Sequence, residues 1–181
     1  FVNWFENCLS SWILIIQMFK LPFLMFFLLF CPSILAVQVG ETVPVCNANL
    51  KVPAQKLDLT KYRDKVLFVD FWATWCPPCK QSMPFLNALR NELNEKGFEI
   101  IAINVDEDSQ DAVEFLQQFP VDYPVAYDSL GDCPAKYDVK AMPSSYFIDR
   151  KGKVRFVHLG FRHADESEIR ARVLALLEEK R

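Results

Sequence analysis

The feature that most constrains this chain is the run Val66-Leu67-Phe68-Val69-Asp70-Phe71-Trp72, which passes almost at once into Trp75-Cys76-Pro77-Pro78-Cys79-Lys80 and a helical pattern. A near-continuous apolar stretch rich in β-branched and aromatic residues is the mark of a central strand covered on both faces. From Pro77 to Lys96, Met83, Leu86, Leu89 and Leu93 recur at three- and four-residue spacing, and Gly97 stops the pattern. A buried strand that hands directly to a long amphipathic helix calls for an α/β layer structure.

The rest of the chain repeats that theme. Phe98 to Val105 reads as a second buried strand, and Ser109 as the cap of a helix carrying Ala112, Val113, Phe115 and Leu116. Tyr123 to Tyr127 is short and extended, with a brief helix near 134–137 after it. Ser144 to Ile148, the turn Asp149-Arg150-Lys151-Gly152 and Lys153 to Leu159 predict a β-hairpin. A closing helix over about 165–180 turns Ile169, Val173, Leu174 and Leu177 inward. Upstream, Val43 to Leu59 holds extended pieces broken by Pro44 and Pro53, an expected N-terminal hairpin. Two βα units, a hairpin and a terminal helix imply an α/β fold: a mixed central sheet with helices on both faces.

Composition matters mainly at the N-terminus. The chain is 51% hydrophobic with sixteen phenylalanines, and much of that excess lies in the first forty residues. Met18-Phe19-Lys20 followed by the apolar run Leu21 to Ala36 reads as a start, a single cation and a hydrophobic segment. On this reading residues 1–17 lie upstream of the true start, 1–36 form a signal peptide or N-terminal membrane anchor, and 37–181 are the domain. Cleavage after Ala36 and retention as an anchor through residues 18–36 are both open, since the run approaches the length that spans a bilayer. Lys20 keeps its end cytoplasmic and sends the domain outward, so the expected location is the periplasm or the outer face of the cytoplasmic membrane. A formal charge of −3 and the absence of a Lys/Arg cluster argue against a nucleic-acid partner.

The chemistry is expected where the first strand meets the long helix. A cysteine at a helix N-terminus lies beside unsatisfied N–H groups and the positive end of the helix dipole, which stabilise a thiolate. A second cysteine one turn further can close on it. Cys76 would therefore attack a substrate disulfide, and Cys79 would resolve the mixed disulfide. Pro77 suits the first helical turn, where its missing N–H costs nothing. A zinc half-site is the competing reading, but no second Cys-x-x-Cys exists and His158 and His163 lie far along the chain, so no metal is expected. The pair itself would be the redox group, with no other cofactor. Cys46 and Cys133 could form a structural disulfide, stay free, or serve a second redox step; neither shows a helix N-terminus or charged neighbours that would mark a low-pKa thiol.

Residues 69–80, Val-Asp-Phe-Trp-Ala-Thr-Trp-Cys-Pro-Pro-Cys-Lys, resemble the active-site segment of thioredoxins. With Gly40-x-x-x-Pro44, Ile103-Asn104-Val105-Asp106 and Met142-Pro143-Ser144-Ser145-Tyr146-Phe147-Ile148-Asp149 in order, the chain resembles the exported TlpA/ResA/DsbE branch of that superfamily from about Val39 onward. The resemblance implies a thioredoxin fold with an N-terminal β-hairpin extension. It implies a protein-disulfide reductase exchanging with protein dithiols and disulfides and fed by a membrane electron donor. Pro143 matches the cis-proline facing the disulfide, where the backbone of Met142 would pair with an extended substrate. Asp70 matches the buried acid that moves the proton of the resolving cysteine. Trp75, with Pro77 and Pro78, would contact partners, whereas Trp72 is expected in the core and Pro84 to be structural. One departure stands out: cytochrome-maturation relatives usually carry Glu three residues after the second cysteine, and this chain has Ser82. Two other classes remain as alternatives. A thiol peroxidase would need a Thr-x-x-Cys motif that Thr74-Trp75-Cys76 does not reproduce, and copper or metal delivery on this scaffold would need Cys-x-x-x-Cys and a positioned His.

Overall fold

The computed structural model describes residues 37–50 and 54–179. The signal or anchor segment over 1–36 lies outside the described residues, as do 51–53 and 180–181.

The order of elements is β1 (Asn49–Leu50), β2 (Gln55–Lys56), a 3-10 turn (Leu59–Tyr62), β3 (Val66–Trp72), α1 (Pro77–Leu93), β4 (Phe98–Asn104), α2 (Ser109–Gln118), β5 (Val125–Tyr127), α3 (Asp132–Tyr137), β6 (Ser144–Ile148), β7 (Val154–Leu159) and α4 (Glu166–Glu178). The strands form one sheet in the order β2-β1-β5-β4-β3-β6-β7. β3 runs parallel to β4 and antiparallel to β6, so the sheet is mixed. All seven positions of β3 and of β4 are buried, as their unbroken apolar runs require. The expected N-terminal hairpin is present as β1–β2, and it extends the sheet by pairing with β5.

Side-chain alternation divides the core in two. Phe68, Trp72, Ile100, Ala102 and Phe147 face α1, α2 and α4, whereas Leu67, Val69, Phe71, Ile101 and Tyr146 face α3 and the segment around Cys46. Helices thus cover both faces. Three local readings change. The cap of α2 is Asp108, whose carboxylate accepts the N–H of Gln110, one residue before the expected Ser109. α1 ends at Leu93 and tightens into a 3-10 turn over Asn94–Lys96 before Gly97, whose φ of 93° suits glycine. On α4 the fully buried positions are Ile169, Val173 and Leu176, with Leu174 and Leu177 only partly covered.

Candidate active site at the start of α1

β3 ends at Trp72, and four residues later Cys76 adopts an extended conformation as the N-cap of α1. Pro77 and Pro78 fill the first helical positions, so neither brings an N–H. The first donor of the helix is therefore the N–H of Cys79, and it points to Cys76 Sγ at 3.2 Å. A developing thiolate on Cys76 would meet that donor and the positive end of α1 together. The two cysteines are joined as a disulfide with Cα atoms 5.3 Å apart. Both are buried, while the neighbouring Trp75 indole is 66% exposed. Trp72, as expected, is in the core.

The turn from strand to helix is tied down by a residue the sequence reading did not assign a role. Asp106, just beyond β4 and buried, accepts the backbone N–H of Thr74 at 3.1 Å and its hydroxyl at 3.1 Å. Asn104 donates to the same carboxylate at 2.7 Å and so holds its orientation. The sequence signals were an acid placed right after a buried strand and its place in the Ile103-Asn104-Val105-Asp106 motif.

On the other side of β3, Phe71 pairs with Ser144, the first residue of β6. That register brings the segment before Ser144 to the end of the sheet where the disulfide lies. The Met142–Pro143 bond there is cis. The Pro143 carbonyl accepts the N–H of Gly160 at 2.8 Å, and Ser144 donates its hydroxyl to the Ala141 carbonyl at 2.7 Å, so the segment is held at both ends. Met142 is half-buried, Pro77 exposed and Pro78 half-buried. Trp75, Pro77, Pro78, Met142 and the buried Pro143 thus flank the ends of β3 and β6.

Asp70 lies inside, on the face covered by α1, with 4% of its surface exposed. Burial pushes its carboxyl up to about 7, opposed only by the Ser145 hydroxyl, which donates to Oδ1 at 2.6 Å. A carboxyl poised near neutrality can take up and release a proton at physiological pH. Ser82, at the position where relatives of the cytochrome-maturation type carry Glu, is buried and donates its hydroxyl to the Cys79 carbonyl at 2.8 Å.

The Redoxin family model matches residues 38–173. The chain belongs to the Redoxin family. The thiol–disulfide oxidoreductase ResA of Bacillus thuringiensis subsp. konkukian is 40% identical over 118 residues, which cover 65% of this chain and 68% of that protein. Among solved structures, one described as a DsbE-type thiol:disulfide interchange protein from Chlorobium tepidum is 40% identical with a TM-score of 0.74, covering 78% of this chain and 99% of that one. Another, described as a protein disulfide isomerase from Bacteroides thetaiotaomicron, is 25% identical with a TM-score of 0.70 over 79% of this chain and 92% of that one. With the Cys76–Cys79 disulfide at the start of α1, the family member is a thiol–disulfide oxidoreductase of thioredoxin fold that acts on protein dithiols and disulfides.

The other two cysteines of the domain come together on the opposite face of the sheet. Cys46 and Cys133 form a disulfide with Cα atoms 4.9 Å apart, and both are buried. Cys133 is the second residue of α3, so it does sit at a helix start, contrary to the sequence reading. Its N–H is donated to Asp128 Oδ2 at 2.6 Å. The bond fixes the segment before β1 onto α3, assisted by the Asn47 N–H on Asp132 at 2.7 Å and Lys136 Nζ on the Val45 carbonyl at 2.9 Å.

Proposed function

We propose that this oxidoreductase works as a reductant of protein disulfides in the cell envelope, with Cys76 as the attacking thiolate and Cys79 as the resolving thiol. Asp70 accepts the Cys79 proton, and Trp75, Pro77, Pro78, Met142 and Pro143 form the substrate-facing surface. The observation that carries this assignment is the Cys79 N–H directed at Cys76 Sγ at the N-terminus of α1, with a buried carboxyl near pKa 7 on the same side of the sheet. The disulfide itself serves as the redox group, so no other cofactor takes part. Envelope location rests on the apolar leader over residues 18–36 and on the likeness to ResA and DsbE proteins. A membrane electron donor would return the oxidised pair to the dithiol, and the leader, if retained, would keep the domain beside it.

Attack by Cys76 on a substrate disulfide releases one substrate thiol and leaves a mixed disulfide. Cys79 then gives its proton to Asp70 and attacks Cys76 Sγ, which expels the second substrate thiolate. Cys76→Ser should abolish reduction of insulin disulfides, and wild-type activity in that variant would sink the assignment. Cys79→Ala should accumulate mixed disulfides with clients in the envelope, and the redox potential of the pair decides whether it runs as reductant or oxidant.

A further inference from the structure

Two exposed apolar side chains stand at one level of the sheet beside the redox pair. Trp72 on β3 pairs with Asn104 on β4, and Asn104 pairs with Tyr127 on β5. The three strands run parallel, so their chains leave the sheet at the same end. Trp75 and Leu130 each lie three residues beyond that row, and Leu130 is 91% exposed. Neighbouring strands are about 4.8 Å apart, which sets the two turns roughly 10 Å from one another.

The turn that carries Leu130 is fixed from inside. Asp128 is buried, and its N–H donates to the Asn104 carbonyl at 2.9 Å. Its carboxylate accepts the N–H groups of Asp132 at 3.3 Å and Cys133 at 2.6 Å. Gly131, with a φ of 71°, closes the turn. The Asn104 side chain also donates to Asp106, which holds Thr74. One buried residue thus anchors both turns, and Leu130 is displayed on an ordered base. A leucine left in water contributes no burial energy to the fold, and that energy stays available to a partner.

Between the two turns, the connection from β4 to α2 exposes Glu107 and Asp108, with Asp111 in the first turn of α2. No Lys or Arg occurs between Lys96 and Lys136, so these acids have no counter-charge nearby in sequence. Lys80, which follows Cys79, lies over the Phe119 ring just past the other end of α2, 3.8 Å from its centroid.

We propose that the ledge from Trp75 across Glu107 to Leu130 seats an extended segment of the protein client, one with a basic and an apolar residue beside its cysteine. This rests on the reading of Cys76 as the thiolate that meets the client. Trp75 directly precedes Cys76, so the ledge is continuous with the point where the client is held. An extended chain advances about 3.3 Å per residue, so a client side chain roughly three to four positions from its cysteine reaches Leu130. A basic residue on the way meets Glu107 and Asp108, which favours that client over an acidic one.

The test offers the reduced full chain three peptides of equal length, each with a thiopyridyl group on its single cysteine. Attack by Cys76 on the peptide sulfur forms the mixed disulfide and expels thiopyridone, whose absorbance gives the second-order rate constant. The first peptide carries Arg and Leu on both flanks of the cysteine, the second has Glu for Arg, and the third has Ser for Leu. Wild type should react with the first about tenfold faster than with either of the others, and the charge-dependent part should fade with added salt. Leu130→Ser should erase only the preference for Leu, and Glu107→Lys only the preference for Arg. Both variants should react with dipyridyl disulfide as wild type does. Equal rates for the three peptides in wild type, or unchanged preferences in both variants, would overturn the proposal. So would a wild-type dimer that Leu130→Ser makes monomeric, because the ledge would then belong to a second copy. Full reactivity of Cys76→Ser towards dipyridyl disulfide would instead defeat the reading of Cys76. Urea midpoints of both variants guard against misfolding.

Discussion

Replacing Asp70 by Asn should change how stability depends on pH, and the size of the change follows from its burial. In the folded, oxidised protein the carboxyl is raised from 3.8 to about 7. The folded state therefore holds a proton that the unfolded chain releases between those values. A raised carboxyl contributes its stability in full below the unfolded pKa, and the contribution is lost as pH rises towards 7. The shift is about three pH units at about 1.4 kcal/mol each, so wild type should lose about 4 kcal/mol between pH 4 and 8 through this group alone. Asn does not titrate, yet its Oδ1 can still accept the Ser145 hydroxyl. The cost of burying its amide is the same at every pH and enters as a constant offset. The unfolding free energy of Asp70→Asn minus that of wild type should thus climb by about 4 kcal/mol from pH 4 to pH 7 and then level off. Urea titrations of both oxidised proteins at half-unit pH steps measure this directly. Parallel curves across that range would refute the claim that burial, and not solvated placement at a strand end, governs Asp70.

Three further outcomes are expected. The Cys46–Cys133 bond closes a loop of sequence separation 87, so replacing both cysteines by Ser should lower stability by about 5 kcal/mol at most. Insulin reduction at low temperature should survive, since the bond lies on the opposite face from the redox pair, and an unchanged urea midpoint would contradict a structural role. Asp106→Ala leaves the Thr74 N–H without its acceptor and should cost about 1–3 kcal/mol; slowed thiol exchange, with partial recovery in Asp106→Asn, would show that the turn positions Cys76. Arg90 pairs through two nitrogens with the buried Glu99 at 2.9 and 3.2 Å, and Arg90→Met should cost about 3 kcal/mol or less in urea unfolding, because Glu99 keeps only the longer contact to Lys65 at 3.9 Å and the amide of Asn94.

Much of this protein is written locally. The unbroken apolar run of β3, the helical spacing after Pro77 and the turn before β7 each depend on neighbours in the chain, so periodicity reveals them. The redox pair is equally local, because two prolines between two cysteines already determine which N–H the helix presents first. What the amino-acid order could not decide was which distant residues meet. Cys46 finds Cys133 only because β1 joins the sheet beside β5, and Asp106 reaches Thr74 only because β4 runs parallel to β3 in one register. The same holds for the hydrogen bond from Ser145 to Asp70, a product of strand order with no trace in spacing. The motif alone announces disulfide chemistry; burial, pairing and register decide where its protons go, since those terms depend on the whole sheet being assembled.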